Sequence, residues 1–248
     1  MCLRVLFLRK EIIMKKVLNY FSTGELILWG FSVVLILISF SLFGGNGFLS
    51  LIASVIGITA ILLNAKGNPF GQLLMIIFSL LYGIISYSFS YYGEMLTYLG
   101  MTMPMAVFAL ITWLRHPYNG KRSEVQVNSL TRLETVMMFL PAIVLTAIFY
   151  VILNYFHTAN IIPSTISVTT SFLAVYLTFR RSPYFSLAYA ANDIVLIILW
   201  TLASYYDTRY IAVAVCFIAF FINDIYAFVS WQKMKVKQNN LETLLGAN

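Results

Sequence analysis

The stretch PFGQLLMIIFSLLYGIISYSFSYY, Pro69 to Tyr92, has a counterpart 114 residues further on, PYFSLAYAANDIVLIILWTLASYY, Pro183 to Tyr206. Both open on a proline and close on Ser-Tyr-Tyr, and both are long and apolar enough to cross a bilayer, which takes about 20 residues at 1.5 Å each. A proline in the first helical turn costs nothing, because its missing N–H has no partner there. Chance could supply that one match, but hardly the shared ending together with the shared basic residues just upstream, Lys66 against Arg180 and Arg181. The short apolar runs before each copy fall into register as well. The runs after them close on Trp113 and Trp231, with four additional residues in the second copy. The chain therefore reads as two three-helix units.

Working outward, the 248 residues are 60% hydrophobic and only 10% charged, with a mean hydropathy of +0.86. A soluble domain needs about a quarter of its residues charged to wet its surface, so the outside of this one faces lipid. Eight runs have spanning length: Glu25 to Phe43, Phe48 to Asn64, Phe70 to Tyr92, Glu94 to Leu114, Glu134 to Tyr155, Ile161 to Phe179, Tyr184 to Tyr206 and Tyr210 to Trp231. None alternates in polarity as barrel strands do. The fold class expected is an all-α integral membrane protein, two parallel three-helix repeats joined by a linker helix, 3+1+3, plus one extra N-terminal helix. An odd-numbered unit leaves the chain on the wrong side of the membrane to repeat itself, and the fifth span, which carries Pro141, returns it.

The segments follow as a basic cytoplasmic stretch 1–24, the additional helix 25–43, the first repeat 44–114, a cytoplasmic loop and linker helix 115–160, the second repeat 161–231 and a cytoplasmic tail 232–248. Lysine and arginine are retained on the cytoplasmic side during insertion. With an inside amino terminus, fifteen of the sixteen basic residues fall inside and only Arg209 outside, which supports eight spans independently of hydropathy. The net charge of +7 is then topology, not a nucleic-acid footprint. A second start-like stretch, MKKVLNYF from Met14, makes residues 1–13 read as an upstream extension or a surface-lying helix. Cys2 and Cys216 have no metal or disulfide spacing. No phosphate-binding glycine motif is present, so no ATP-driven pump is encoded here.

Ionisable residues inside a span cost upwards of about 2.5 kcal/mol and normally face a bundle interior or a wet cavity. Asp193 and Asp224 qualify, each preceded by an asparagine, Asn192 and Asn223. Antiparallel neighbours bring both to a similar depth. Ser186, Asp193 and Trp200 recur every seven residues along one helix face, and Gln72, Ser79 and Ser86 do so at the equivalent positions of the first copy. Tyr82 and Tyr226 are further lining candidates. The serines have a plainer reading as carbonyl-bonded or close-packing residues, the two aspartates as structural groups bonded by neighbouring helices, and Trp113 and Trp231 as interfacial anchors. His116 and His157 lie in loops. Aromatic faces and carboxylates attract cations in a water-poor site, and amides suit hydroxyls and carboxamides. A small polar ring, cationic or neutral, fits this equipment, and so does a sugar.

The NAKGNPFGQ turn, the AANDIVLIILW span and the closing NDIYAFVSW resemble the PnuC family of bacterial vitamin-precursor transporters, over about Gly24 to Trp231. The resemblance implies a SWEET-like fold and facilitated diffusion of nicotinamide riboside across the inner membrane, with trapping by a cytoplasmic riboside kinase; relatives carry thiamine or riboflavin. It nominates Gln72, Asn192, Asp193, Trp200, Asn223 and Asp224 for substrate, with no cofactor, no metal and no catalytic residue. The implied partners are the small-molecule substrate, membrane lipid and, for the assembled protein, further copies of itself. An inside-negative potential contributes about 2.3 kcal/mol per positive charge per 100 mV to such uptake. Rival readings are a proton-coupled carrier, a substrate-binding subunit docking to a separate ATPase, and a membrane enzyme using the two aspartates. A retinal protein is excluded by the lack of a lysine deep in any span.

Overall fold

The computed structural model describes residues 20–43, 47–88, 91–158 and 160–246. The basic residues from Arg4 to Lys16, the candidate start at Met14 and most of the Gly44 to Gly47 turn lie outside them. Eight helices have the length and apolarity to span a membrane: α1 Thr23–Phe43, α2 Phe48–Ala65, α3 Phe70–Ser88, α4 Tyr92–Arg115, α5 Arg132–Tyr155, α6 Ile161–Phe179, α7 Phe185–Ser204 and α8 Tyr210–Gly246. The chain is a multi-pass membrane protein. α1 and α5 are the least buried, and α5 presents Val136, Leu140, Ile143 and Val151 outward. With no core to shield them, such side chains require lipid.

Helix starts and turns are repeated in detail. α1 opens on a capping box in which Ser22 N–H donates to Glu25 Oε2 at 2.6 Å and Glu25 N–H to Ser22 Oγ at 3.3 Å. α5 opens on the same device, built from Thr131 and Glu134. Each capping glutamate then pairs with the basic residue of a turn further along the chain: Glu25 with Lys66 at 3.0 Å, and Glu134 with Arg180. The α2–α3 turn closes with Gly67 N–H to Asn64 O and Asn68 N–H to Leu63 O; the α6–α7 turn closes with Arg181 N–H to Thr178 O and Ser182 N–H to Leu177 O. Gly67 and Arg181 hold the left-handed conformation this closure demands, at φ +65° and +57°.

Packing follows the same scheme. α1 lies against α2 and α8, α5 against α6 and α4, α2 against α3 and α8, and α6 against α7 and α4. The leading helix and the linker helix thus occupy corresponding places. The four residues by which the second copy is longer fall between α7 and α8, in the turn where Arg209 pairs with Asp207 at 2.6 Å.

Three local features depart from the hydropathy reading. α8 does not stop at Trp231 but runs on to Gly246, because nothing between them is glycine or proline to break it. The α4–α5 connection carries a two-stranded hairpin, β1 Pro117–Tyr118 and β2 Lys121–Val125. Asn119 and Gly120 turn it with positive φ, as two-residue hairpin loops require. Within α4 a π-helical turn spans Tyr98–Thr102, just before Pro104, whose missing N–H cannot continue the α-ladder.

Beyond the hairpin the connection crosses one end of the bundle. Val125 N–H donates to Gly67 O at 2.9 Å and Asn128 N–H to Arg181 O at 3.0 Å, the same turn position in each half. Gln238, on the extension of α8, accepts from Val127 N–H at 2.8 Å and donates to Val125 O at 3.1 Å. This end also holds Lys66, Arg115, Arg180 and Arg181, and is called the basic end below.

Candidate functional site

Between the two sets of helices lies a narrow chamber of about 30 Å³, far below the roughly 300–1,000 Å³ of sites that hold a small molecule, so the helices are closed around it. Its polar lining is Asn64 from α2, Thr102 from α4, Ser171 from α6, Asn192 and Asp193 from α7, and Asp224 from α8. Phe78, Tyr98, Phe185, Tyr189, Phe217 and Phe220 supply aromatic walls. The π turn is what delivers Tyr98 and Thr102 to the lining, by rotating the ladder of α4 between its two α-helical parts.

Asp193 and Asp224 both line the chamber and are buried, and Asp193 Oδ2 has no hydrogen-bond partner. Asn192 accepts from Thr170 Oγ1 at 2.8 Å and Ser171 Oγ at 3.1 Å. Its carbonyl is thereby taken, and what it presents to a guest is the amide NH2. The lining contains neither lysine, arginine nor histidine. Among the described residues no group of three or more His, Cys, Asp or Glu is placed to hold a metal.

The other sequence candidates stand around this chamber rather than in its wall. Gln72 is buried behind Asn64 and donates to its Oδ1 at 2.9 Å. Asn223 bonds α8 to α1, donating to Ser32 Oγ at 2.8 Å. Tyr226 donates to Glu25 Oε1 at 2.9 Å. Ser79, Ser86 and Ser186 are fully buried with hydroxyls that find no partner. Trp200 and Tyr82 belong to an aromatic cluster at the end away from the basic one. Trp200 lies 4.7 Å from Tyr91, 5.4 Å from Tyr210 and 6.4 Å from Tyr82 between ring centroids, and Tyr82 in turn 4.4 Å from Tyr98.

A second aromatic cluster stands at the basic end, made of Phe185, Trp113 and Trp231. Trp113 and Trp231 are not interfacial anchors: both are fully buried, with ring centroids 5.4 Å apart. Trp113 Nε1 donates across to Thr178 O of the second half at 2.9 Å, and Trp231 Nε1 to Asn64 O of the first at 2.7 Å. Asn64 and Thr178 are themselves 114 residues apart, so the two bonds are a reciprocal exchange between halves. Sequence reasoning missed Asn64, Ser171 and these two tryptophans. Asn64 lay in plain view in the α2–α3 turn motif, and the register of the repeat already paired it with Thr178.

A polar chamber inside a lipid-facing bundle, with an aromatic cluster at each end and no extramembrane catalytic module among the described residues, is the architecture of a membrane transporter. The sequence model of the nicotinamide mononucleotide transporter family matches residues 47–233, and the chain belongs to that family. It is similar to the protein named nicotinamide riboside transporter PnuC from Neisseria mucosa, 24% identical over 196 residues, 77% of this chain and 74% of that protein. The fold matches the crystal structure of the vitamin B3 transporter PnuC with a TM-score of 0.76, at 21% identity, covering 88% of this chain and 94% of that one. This is a transporter family and the chain is not an enzyme.

Proposed function

We propose that the protein imports nicotinamide riboside by facilitated diffusion across the bacterial inner membrane. The basic end with both termini is cytoplasmic in this reading, and a cytoplasmic riboside kinase traps the product. The observation that carries it is the lining: two carboxyl groups, the four amide or hydroxyl side chains of Asn64, Thr102, Ser171 and Asn192, and a ring of aromatics, without a single basic side chain. A pyridinium is attracted by carboxylates and by aromatic faces, while ribose and carboxamide use Asn64, Ser171 and the NH2 of Asn192. The family name mentions the mononucleotide, but a phosphate beside Asp193 and Asp224 would meet like charge with no arginine or lysine to offset it. The riboside is the better guest.

The organisation that supports this reading is two corresponding halves, related by an axis along the membrane normal, with the substrate held between them. Trp113 and Trp231 form the cytoplasmic closure and Trp200 with its tyrosines the external one.

Purified protein in liposomes, without ATP or a partner, is expected to exchange labelled nicotinamide riboside down its gradient. Unlabelled riboside should compete and nicotinamide mononucleotide should not. Uptake that stops when ion gradients are collapsed, with the substrate gradient intact, would refute facilitated diffusion. Competition by thiamine alone would move the assignment to another vitamin.

A further inference from the structure

Glu94, in the first turn of α4, is a buried acid outside the chamber wall, only 1% exposed. Ser167 Oγ of α6 donates to its Oε1 at 2.9 Å, while Oε2 has no hydrogen-bond partner. The glutamates that open α1 and α5 differ, because both oxygens of each are engaged: Glu25 by Ser22, Lys66 and Tyr226, and Glu134 by Thr131 and Arg180. Among the described residues no lysine, arginine or histidine pairs with Glu94. An ionisable group within a span costs upwards of about 2.5 kcal/mol. Holding Ser167 alone does not call for one, since an amide at the same position would accept that bond as well.

Helix geometry fixes where this acid stands. Tyr98 follows Glu94 by four residues along α4, Ser171 follows Ser167 by four along α6, and both Tyr98 and Ser171 line the chamber. Four residues are about one turn, or roughly 6 Å of rise. Both helices run towards the basic end, so the Glu94–Ser167 bond lies one turn beyond the chamber on the opposite side. The aromatic cluster at that end leaves further polar atoms open: Tyr82 Oη, Ser86 Oγ and Trp200 Nε1 are buried without partners, and the Tyr82 ring touches that of Tyr98 at 4.4 Å between centroids. Each such group costs about 1–3 kcal/mol while nothing bonds it. Together they form a row of donors and one acceptor leading from the chamber towards the outer end.

We propose that Glu94 is a second cation-binding residue of the transport path, an outer station where the positive ring of the substrate pairs with Oε2 one turn before it reaches the chamber. This deepens the transporter reading given above and rests on it. Ser167, by bonding Oε1, leaves Oε2 as the oxygen that meets the ring. Tyr98 stands between the two stations and offers an aromatic surface to a cation at either. With Glu94 outside and Asp193 and Asp224 inside, a cation advances through the span without crossing a stretch that lacks counter-charge.

The test is uptake of labelled nicotinamide riboside by the purified full-length protein in liposomes, with Glu94→Gln and Glu94→Asp beside the unsubstituted chain. Glutamine keeps the shape and still accepts from Ser167 but carries no charge; aspartate keeps the charge on a shorter side chain. The expected result is a KM about tenfold higher in Glu94→Gln, from the lost pairing with the ring, and within about threefold of the original in Glu94→Asp. Removing an unpaired buried charge should also leave Glu94→Gln at least as resistant to thermal unfolding. A purely structural carboxyl gives the opposite order, with glutamine the better substitute. That order, equal losses in the two variants, an unchanged KM in Glu94→Gln or its easier unfolding each overturns the outer station while leaving the transporter reading intact. No riboside uptake by the unsubstituted chain overturns both.

Discussion

The two halves of the bundle, α1–α4 and α5–α8, share a frame and divide a chemistry. The frame lies in the backbone and its caps: the Ser22–Glu25 and Thr131–Glu134 boxes, the turns at Gly67 and Arg181, and the tryptophan bonds exchanged between Asn64 and Thr178. The chamber departs from this symmetry. Both carboxyl groups come from the second half, where the first has Ser79 opposite Asp193. The first half answers with Asn64 and the π turn of α4. Backbone bonds and helix packing tolerate almost any side chain on the chamber face, so the frame can stay duplicated while the lining diverges.

The largest expected effect tests the frame. Trp113→Ala and Trp231→Ala each remove a fully buried indole and should each lower stability by about 3–5 kcal/mol, read as thermal unfolding in detergent. Similar losses follow from their exchanged bonds. A loss at one position with none at the other would break the correspondence.

A smaller effect probes the division of chemistry at one equivalent pair. Gln72→Ala leaves Asn64 Oδ1 without its donor and should weaken riboside binding by about fivefold, close to 1 kcal/mol. Ser186, the counterpart 114 residues on, has a hydroxyl with no partner, and Ser186→Ala should leave affinity unchanged. Equal losses in a binding titration would mean that the two positions serve one role.

The smallest concerns the turns. Arg181 holds a left-handed conformation that a side chain disfavours by about 1–2 kcal/mol, so Arg181→Gly should raise the melting temperature slightly. Gly67→Ala should lower it, because a Cβ there meets Met234 and Val125 at 3.3 Å. Chemical denaturation of both variants would sharpen how far the shared turn is strained in one half only.

Much of this was legible in residue order. Hydropathy marked the eight spans, and the Pro69 and Pro183 openings marked the corresponding helices. The similar depth of Asp193 and Asp224 along their spans pointed to one cavity, and both line the chamber. Other features left weaker traces. The Asn119-Gly120 pair signals a hairpin, yet it sits in a loop read only for its length. Trp113 and Trp231 stand at span ends where indoles usually meet the interface, and their place in the interior follows from the neighbours they find across the bundle. Gln72 belongs to a polar stripe that does face inward, but Asn64 stands between it and the chamber.

Residue order alone set out eight helices long and apolar enough to cross a membrane and two acids within them. Those properties depend on the cost of placing each residue in hydrocarbon, which is local and additive along a helix. It took the folded helices to show that the acids line one chamber, that Asn64 rather than Gln72 lines it with them, and that the tryptophans bond across the halves. Each of these depends on contacts between residues distant in the chain, set by how the helices turn and lean against one another, and no hydropathy or seven-residue stripe contains that rotation.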